Sequence, residues 1–486
     1  MKKYFLLVVF ILVYLIPVSS FAQLRLHSIF TDHMVLQQRS EVPIWGWAKA
    51  GDKITIKTSW DNKKYSINAN EIGKWLIKVA TPIAGGPYQV TVSDGTPFTF
   101  KDVMIGEVWF CGGQSNMEMP MKGFKSQPII GSNEAILKST NPNIRLYIVP
   151  RSSVPEKQAN SKPSSWRQAA PESVANFSAT AYYFGQLLNE MLHVPIGLIN
   201  DSYGGSSIEA WMSPETLQNY PDVKVPSKTD SIKEVSRTPT TLYNGMLAPV
   251  IGYGIKGALW YQGESNVDRT LTYQSLFTTM VKEWREKWGV GEFPFYYMQI
   301  APFQYKDLTP NSKAPDNQSA YLREAQRSAL KTIPNSGMAV LMDLGEERSI
   351  HPANKKQGGQ RLAYLALAQT YGLKGFGYAS PDYDSFTVED GTATVKFINT
   401  PNGLTSFGKE LAEFEIAGAD HKFYPATAKI AGSSVKVSST KVKTPMAVRY
   451  AFKDFVVGDL FSNEGLPVSS FKTDDWAPEK NTASIK

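Results

Sequence analysis

Two residues far apart in the chain, Ser115 and His351, supply the pair that attack on an ester carbonyl at neutral pH requires. A serine hydroxyl alone is a weak nucleophile and becomes effective when an imidazole takes its proton. Ser115 stands in Gly112-Gly113-Gln114-Ser115-Asn116-Met117, directly after the apolar run that ends at Cys111. The two glycines allow a sharp turn and a close approach to substrate. A serine opening a helix also meets backbone N–H groups that favour developing negative charge. The G-x-S-x-G elbow is not met, because Met117 stands where its last glycine would be. Taken alone, such a serine reads as a helix N-cap. His351 changes that reading. His27 and His33 fall in the N-terminal part of the chain and His421 in the C-terminal part, while His193 precedes a strand. His351 alone of the five follows a strand's carboxyl end.

An attacked ester also needs hydrogen-bond donors for its oxyanion, each typically worth ~10²–10³ in rate. The N–H of Ser115, the N–H of Gly205 and the side-chain amide of Gln262 are the candidates. Glu264, two residues beyond Gln262, is expected to orient a donor, shape its loop or contact the substrate. No paired His or Cys spacing suits a metal, so neither a metal nor a cofactor is expected. Cys111, the one cysteine, ends an apolar run and reads as a buried structural thiol.

These residues need a frame to bring them together. Residues 102–373 alternate apolar strand-like runs (103–111, 196–200, 255–261, 295–300 and 338–344) with helical patterns. In one helix, Phe277, Met280, Val281, Trp284 and Trp288 recur at helical spacing and form an apolar face. A second helix is expected over residues 354–371. Such alternation implies a parallel sheet covered on both sides, with ligands at the carboxyl ends of its strands. Four of the five loops at those ends carry small, polar or ionisable residues, as a hydrolytic site does. On either side, around residues 24–100 and 393–471, short alternating runs separated by Gly, Pro and Asp turns read as antiparallel β-sandwich. The expected division is a signal peptide over 1–22, an N-terminal β-sandwich over 23–101, a catalytic domain over 102–375 and a C-terminal β-rich domain over 376–486.

The signal peptide rests on Lys2 and Lys3, the apolar run from residue 4 to 18, and small residues ending at Ala22. It predicts an exported protein, periplasmic or extracellular, with no membrane anchor after cleavage. The net charge of +7 is spread along the chain, and no nucleic-acid motif accompanies it.

The blocks Gly113-Gln114-Ser115-Asn116-Met117, Gly204-Gly205-Ser206, Trp260-Tyr261-Gln262-Gly263-Glu264-Ser265 and Ile350-His351-Pro352 resemble, in order, those of the sialate O-acetylesterase family of the SGNH hydrolase superfamily. The ending Gly465-Leu466-Pro467 and Thr473-Asp474-Asp475-Trp476 is similar as well. The resemblance implies an α/β fold, a flavodoxin-like three-layer domain with a parallel sheet flanked by β-sandwich modules. It implies an O-acetylated glycan or sialic acid as substrate, Ser115 as nucleophile and His351 as base. Gly205 and the Gln262 loop would hold the oxyanion, and Asn116 and Glu264 would contact the substrate. Many superfamily members carry an Asp three residues before the histidine, where this chain has Arg348. The group that orients the imidazole is therefore open between Glu346, Asp343 and a Ser–His dyad held by a backbone carbonyl near Ser349. An acetylxylan esterase and a non-catalytic glycan-binding protein are the alternative readings. Loops around 151–173, 222–241 and 304–320 are expected to shape the sugar pocket.

Overall fold

The run from Pro97 to Gly113 forms one strand of 17 residues, and its burial pattern changes along its length. Its first half alternates exposed and buried side chains, whereas Val103 onward is buried on both faces. The first half pairs antiparallel with Gly85–Ser93, and the second half runs between parallel neighbours. The strand therefore continues through residues 101 and 102, where the texture of the sequence changes. The structure is a computed structural model and describes residues 24–308 and 317–476. The expected signal peptide lies outside the described residues. Among those described, no helix is long and apolar enough to cross a membrane.

Seven strands build the central part of the sheet: β1 (Pro97–Gly113), β2 (Asn141–Ile148), β3 (Arg167–Ala169), β4 (Ile196–Ser202), β5 (Gly257–Tyr261), β6 (Phe295–Met298) and β7 (Ser336–Ala339). Their order is β3-β2-β4-β1-β5-β6-β7, parallel throughout except for the antiparallel edge strand β3. Side chains alternate between two buried clusters. Val108, Phe110 and Trp260 join one, together with Phe277, Met280, Val281 and Trp284 of the helix α3 (Thr270–Trp288). Trp109, Cys111 and Leu259 join the other, with Tyr182, Phe184 and Leu188 of α2 (Ala179–Leu192) and Leu362 of α5 (Lys355–Leu365). The aromatic stripe of α3 thus packs as core. Burial likewise pushes the Cys111 thiol far above its ordinary range, so it stays protonated.

Three expectations need correction. Strand β2 was not anticipated, because Pro142 and Arg145 interrupt its apolar residues. Arg145 is buried there because its guanidinium meets Asp102, with Nη1 2.7 Å from Oδ2. Strand β7 ends at Ala339 instead of reaching residue 344, since the chain then turns toward the His351 loop. The helix expected over 354–371 stops at Leu365 and continues as a single wider turn, Ala366–Thr370.

The flanking β regions do not share a sheet among the described residues. On the N-terminal side Arg25–Leu26, Glu41–Trp47 and Lys74–Ala80 form one sheet, and further strands extend from β1. On the C-terminal side lie two four-stranded sheets and a two-stranded pair. Polar bonds fasten the latter to the core. The buried Arg323, on α4 (Gln318–Ala329), donates to Ser470 Oγ at 3.0 Å and also to the Lys453 carbonyl. Gln299 Nε2 donates to Ser469 Oγ at 2.8 Å.

At the carboxyl end of β1 the backbone of Gly113 passes so close to β5 that a Cβ there would lie 2.2 Å from the Tyr261 carbonyl oxygen. Its φ of +143° adds a second reason for glycine. The obstacle is backbone, so it cannot rotate away. Gly113→Ala is expected to destabilise the protein by about 3 kcal/mol through clash and strain and to lower turnover with it. Thermal unfolding measured beside an ester assay checks this, and a wild-type melting temperature would contradict it.

Candidate active site

Strand β1 delivers its chain end into a single helical turn, α1 (Ser115–Glu118). Tight pairing at Gly113 fixes that turn, and Gln114 N–H donates to the Tyr261 carbonyl at 2.9 Å. The Gln114 side chain braces the neighbouring loop, its Oε1 accepting from Gly263 N at 3.2 Å. Ser115 is left half-buried at the sheet rim. From the other side, the chain after β7 brings in His351, whose Nε2 lies 2.8 Å from Ser115 Oγ. The two groups, 236 positions apart, therefore meet.

The other imidazole nitrogen meets neither expected carboxylate. His351 Nδ1 lies 2.6 Å from Gln127 Oε1, so the ring donates to a neutral amide oxygen. Glu346 Oε1 instead accepts from Ala353 N–H at 2.7 Å and closes the turn that carries His351. Asp343 is occupied by Arg361, at 2.7 and 2.6 Å. Ser349 contributes through its hydroxyl, which donates to the His351 carbonyl at 3.0 Å. Gln127 is held in a tight loop by paired bonds with Phe124, and Ile130 N–H donates to the Ala353 carbonyl at 3.0 Å, joining that loop to the histidine loop. The Phe124 ring stands edge-on to the imidazole, 5.4 Å between centroids.

Burial, and next the Lys355 ammonium, lower the His351 pKa from 6.5 to about 4. Lys355 opens α5 and is itself buried, which brings its pKa down to about 7. Its Nζ donates to Asn116 Oδ1. Asn116 Nδ2 in turn donates to Glu264 Oε1 at 2.5 Å and to the Ile350 carbonyl at 3.0 Å. Burial raises the Glu264 carboxyl above its ordinary range, partly opposed by the Asn116 bond and the Lys355 charge. Asn116 and Glu264, expected as substrate contacts, are thus buried and turned toward each other and Lys355. With both amide hydrogens committed to protein groups, Asn116 has no N–H left to donate to a substrate.

Of the expected oxyanion donors, Gln262 also has another task. It is fully buried, and its Nε2 donates to the Ser206 carbonyl at 3.0 Å and to Asn266 Oδ1 at 2.8 Å. One amide hydrogen therefore holds the Gly204–Ser206 loop and the other is spent on Asn266. Gly205 in that loop has φ +73°, and its N–H has no hydrogen-bond partner among the described residues. The N–H of Ser115, first in its helix, has no acceptor within the helix. A methyl group built on neighbouring Gly204 would lie 3.5 Å from Ser115 Cβ, so this loop flanks Ser115. Among the described residues no group of three or more His, Cys, Asp or Glu side chains converges as a metal site.

Sequence reasoning missed Gln127 and Lys355. Nothing in the pattern marks Gln127, a neutral residue brought in by a loop. Lys355 had a signal: it stands in the first turn of a helix, where cations are disfavoured unless something else holds them.

Residues 105–368 match the family described as carbohydrate esterase, sialic acid-specific acetylesterase. The chain is 30% identical over 393 residues to human sialate O-acetylesterase, covering 74% of this chain and 73% of that one. It is 28% identical over 414 residues to the mouse protein of the same name, covering 74% and 75%. A crystal structure of a carbohydrate acetylesterase from Xanthomonas citri superposes with a TM-score of 0.85 at 34% identity, over 93% of this chain and all (100%) of that one. The chain, a carboxylic ester hydrolase, belongs to the sialic acid-specific acetylesterase family of carbohydrate esterases.

Proposed function

We propose that this esterase removes O-acetyl groups from sialic acid by a Ser–His mechanism with an acetyl-enzyme intermediate. The observation that carries the reading is the 2.8 Å contact between Ser115 Oγ and His351 Nε2, with Nδ1 held by Gln127. His351 accepts the hydroxyl proton as Ser115 Oγ bonds to the acetyl carbon. The carbonyl oxygen becomes an oxyanion, met by the N–H groups of Ser115 and Gly205. Collapse breaks the bond to the sugar oxygen, which takes the proton from the imidazolium and leaves as a hydroxyl. Water, deprotonated by His351, then attacks the acetyl-serine; acetate departs, and the proton returns to Ser115. Gln127 acts as the orienting group, a neutral acceptor that keeps the Nδ1–H tautomer and aims Nε2 at the serine.

The choice of sialic acid rests on the curated relatives that carry that name and on the family match. The two buried clusters on opposite sides of the sheet support a flavodoxin-like three-layer reading of the SGNH type, within a domain of residues 102–375. Export is inferred from the character of residues 1–22.

Ser115→Ala is expected to abolish acetate release from O-acetylated sialic acid and from p-nitrophenyl acetate, by roughly 10³-fold or more, with an unchanged circular dichroism spectrum. Retained turnover would refute the mechanism, and wild-type activity confined to acetylated xylan would refute the substrate. Gln127→Ala is expected to slow kcat about tenfold to a hundredfold, the rate equivalent of the ~1–3 kcal/mol that a lost buried hydrogen bond costs. Steady-state kinetics at fixed pH measures it, and wild-type kcat in that variant would remove Gln127 from the mechanism.

The acid limb of the pH–rate profile follows from the sign of the His351 shift. The base works when neutral, hence above its pKa, so kcat/KM should rise near pH 4 and remain high through neutrality. Lys355→Met removes a charge that lowers this pKa. The acid limb should therefore move upward, toward the ordinary histidine value near 6.5. A profile unmoved by the substitution would show that the ammonium does not act on the imidazole.

A further inference from the structure

Beside the nucleophile stands a cation that the chemistry above does not use. Glu118 lies three residues beyond Ser115 on the same helical turn. Its Oε2 accepts from Gly204 N–H at 2.8 Å, and its Oε1 accepts from Arg151 Nε at 2.7 Å and also from Arg151 Nη2. The guanidinium carbon lies 4.5 Å over the Tyr203 ring. Arg151 is thus pinned on one edge by the carboxylate and on one face by an aromatic ring. Its side chain nevertheless remains 55% exposed, against 17% for Glu118. Nη1 has no hydrogen-bond partner among the described residues.

The place of this group matters as much as its freedom. A methyl group built on Gly204 would lie 3.5 Å from Ser115 Cβ and 3.9 Å from Arg151 Nη2. Nucleophile and guanidinium therefore both border the same backbone position. An exposed ion pair adds little to stability, so the fixing of this long side chain has its main effect on what the free edge can bind. A guanidinium already fixed loses little freedom on binding, and its unoccupied Nη1–Nη2 edge matches the two oxygens of a carboxylate.

We propose that Arg151 receives the carboxylate of an anionic sugar acid whose O-acetyl group rests on Ser115, and so sets a preference for O-acetylated sialate over neutral acetylated sugars. The proposal rests on the Ser–His reading above. Arg151 touches no reacting atom; it is a specificity residue, and its loss should appear in KM.

The test compares wild type, Arg151→Met and Arg151→Lys on three probes: O-acetylated N-acetylneuraminic acid, its carboxyl methyl ester, and p-nitrophenyl acetate. Ser115→Ala runs alongside. Wild type should prefer the free acid to its methyl ester at least tenfold in kcat/KM. In Arg151→Met the acid should lose at least tenfold more than p-nitrophenyl acetate does, through KM, and the acid-to-ester preference should fall to about one. Arg151→Lys should keep part of that preference, since it retains the charge but not the fork. Equal losses on all probes would overturn the proposal by assigning Arg151 a structural role. A wild type indifferent to the methyl ester, or an Arg151→Met variant that keeps its preference, would overturn it equally. Failure of the underlying mechanism is recognised separately, by turnover of any probe in Ser115→Ala.

Discussion

One buried amide holds Ser115 and His351 together. Asn116 follows Ser115 in sequence, and its side chain reaches the carbonyl of Ile350, the residue before His351, at 3.0 Å. The same amide donates to Glu264 Oε1 at 2.5 Å and accepts from Lys355, four residues past His351. Its backbone carbonyl accepts from Thr180 Oγ1 at 3.1 Å, which brings in α2. An amide is planar, with donor and acceptor directions fixed relative to each other. It can satisfy all these partners only if the ends of β1 and β5 and the histidine loop keep one arrangement. Because each orphaned buried group costs roughly 1–3 kcal/mol, alternatives in which Ser115 and His351 separate are disfavoured together.

Burial, and next the charge of Lys355, explain why the imidazole stays neutral. Lys355 sits at the positive end of a helix and out of water, two conditions that each oppose an ammonium. Glu264 and Glu346 oppose those effects, and the result is a lysine near 7 and not far lower. Next to it, the histidine is pushed down to about 4. A carboxylate on Nδ1 would pull the other way and favour the imidazolium; Gln127 does not. Burial and the lysine charge therefore lower the pKa with no carboxylate on Nδ1 to oppose them. In the proposed mechanism such an imidazole is available as base at low pH, but it accepts a proton with less driving force. On this reading much of the burden of the transition state passes to the N–H groups around the oxyanion.

The parallel strands were legible because burial on both faces demands unbroken apolar runs, as in Val108-Trp109-Phe110. Strand β2 was hidden by the buried Arg145, whose compensation by Asp102 is visible only in three dimensions. Ser115 and His351 were legible from the rule that ligands collect at strand ends, which needs no knowledge of distances. Asn116 and Glu264, expected to contact the substrate, and Gln262, expected as an oxyanion donor, all lie near the site, but their side chains bond to protein groups. Sequence position locates a loop at the rim, but burial decides whether a side chain faces the ligand or the protein. Glu346 drew notice as a carboxylate near the histidine, yet a turn of this shape needs an acceptor for Ala353 N–H, and Glu346 supplies it. Gln127 carries no charge and no periodic signal, and only the bond between its loop and Ala353 puts it on the imidazole.

Glu118 extends the same logic outward from the chemistry. It shares one turn with Ser115, and its two oxygens reach the Gly204 N–H and the Arg151 guanidinium. Ser115, the Gly204 loop and the exposed Arg151 are therefore linked through a four-residue helix. A small displacement of that helix moves all three in the same sense, so their mutual geometry is less sensitive to motion of the surrounding loops than any of their absolute positions. Orientation fixed before binding is what lets contacts remote from the reacting bond contribute to its cleavage. A substrate charge held by Arg151 would thus be referenced directly to the serine, without passing through the rest of the sheet.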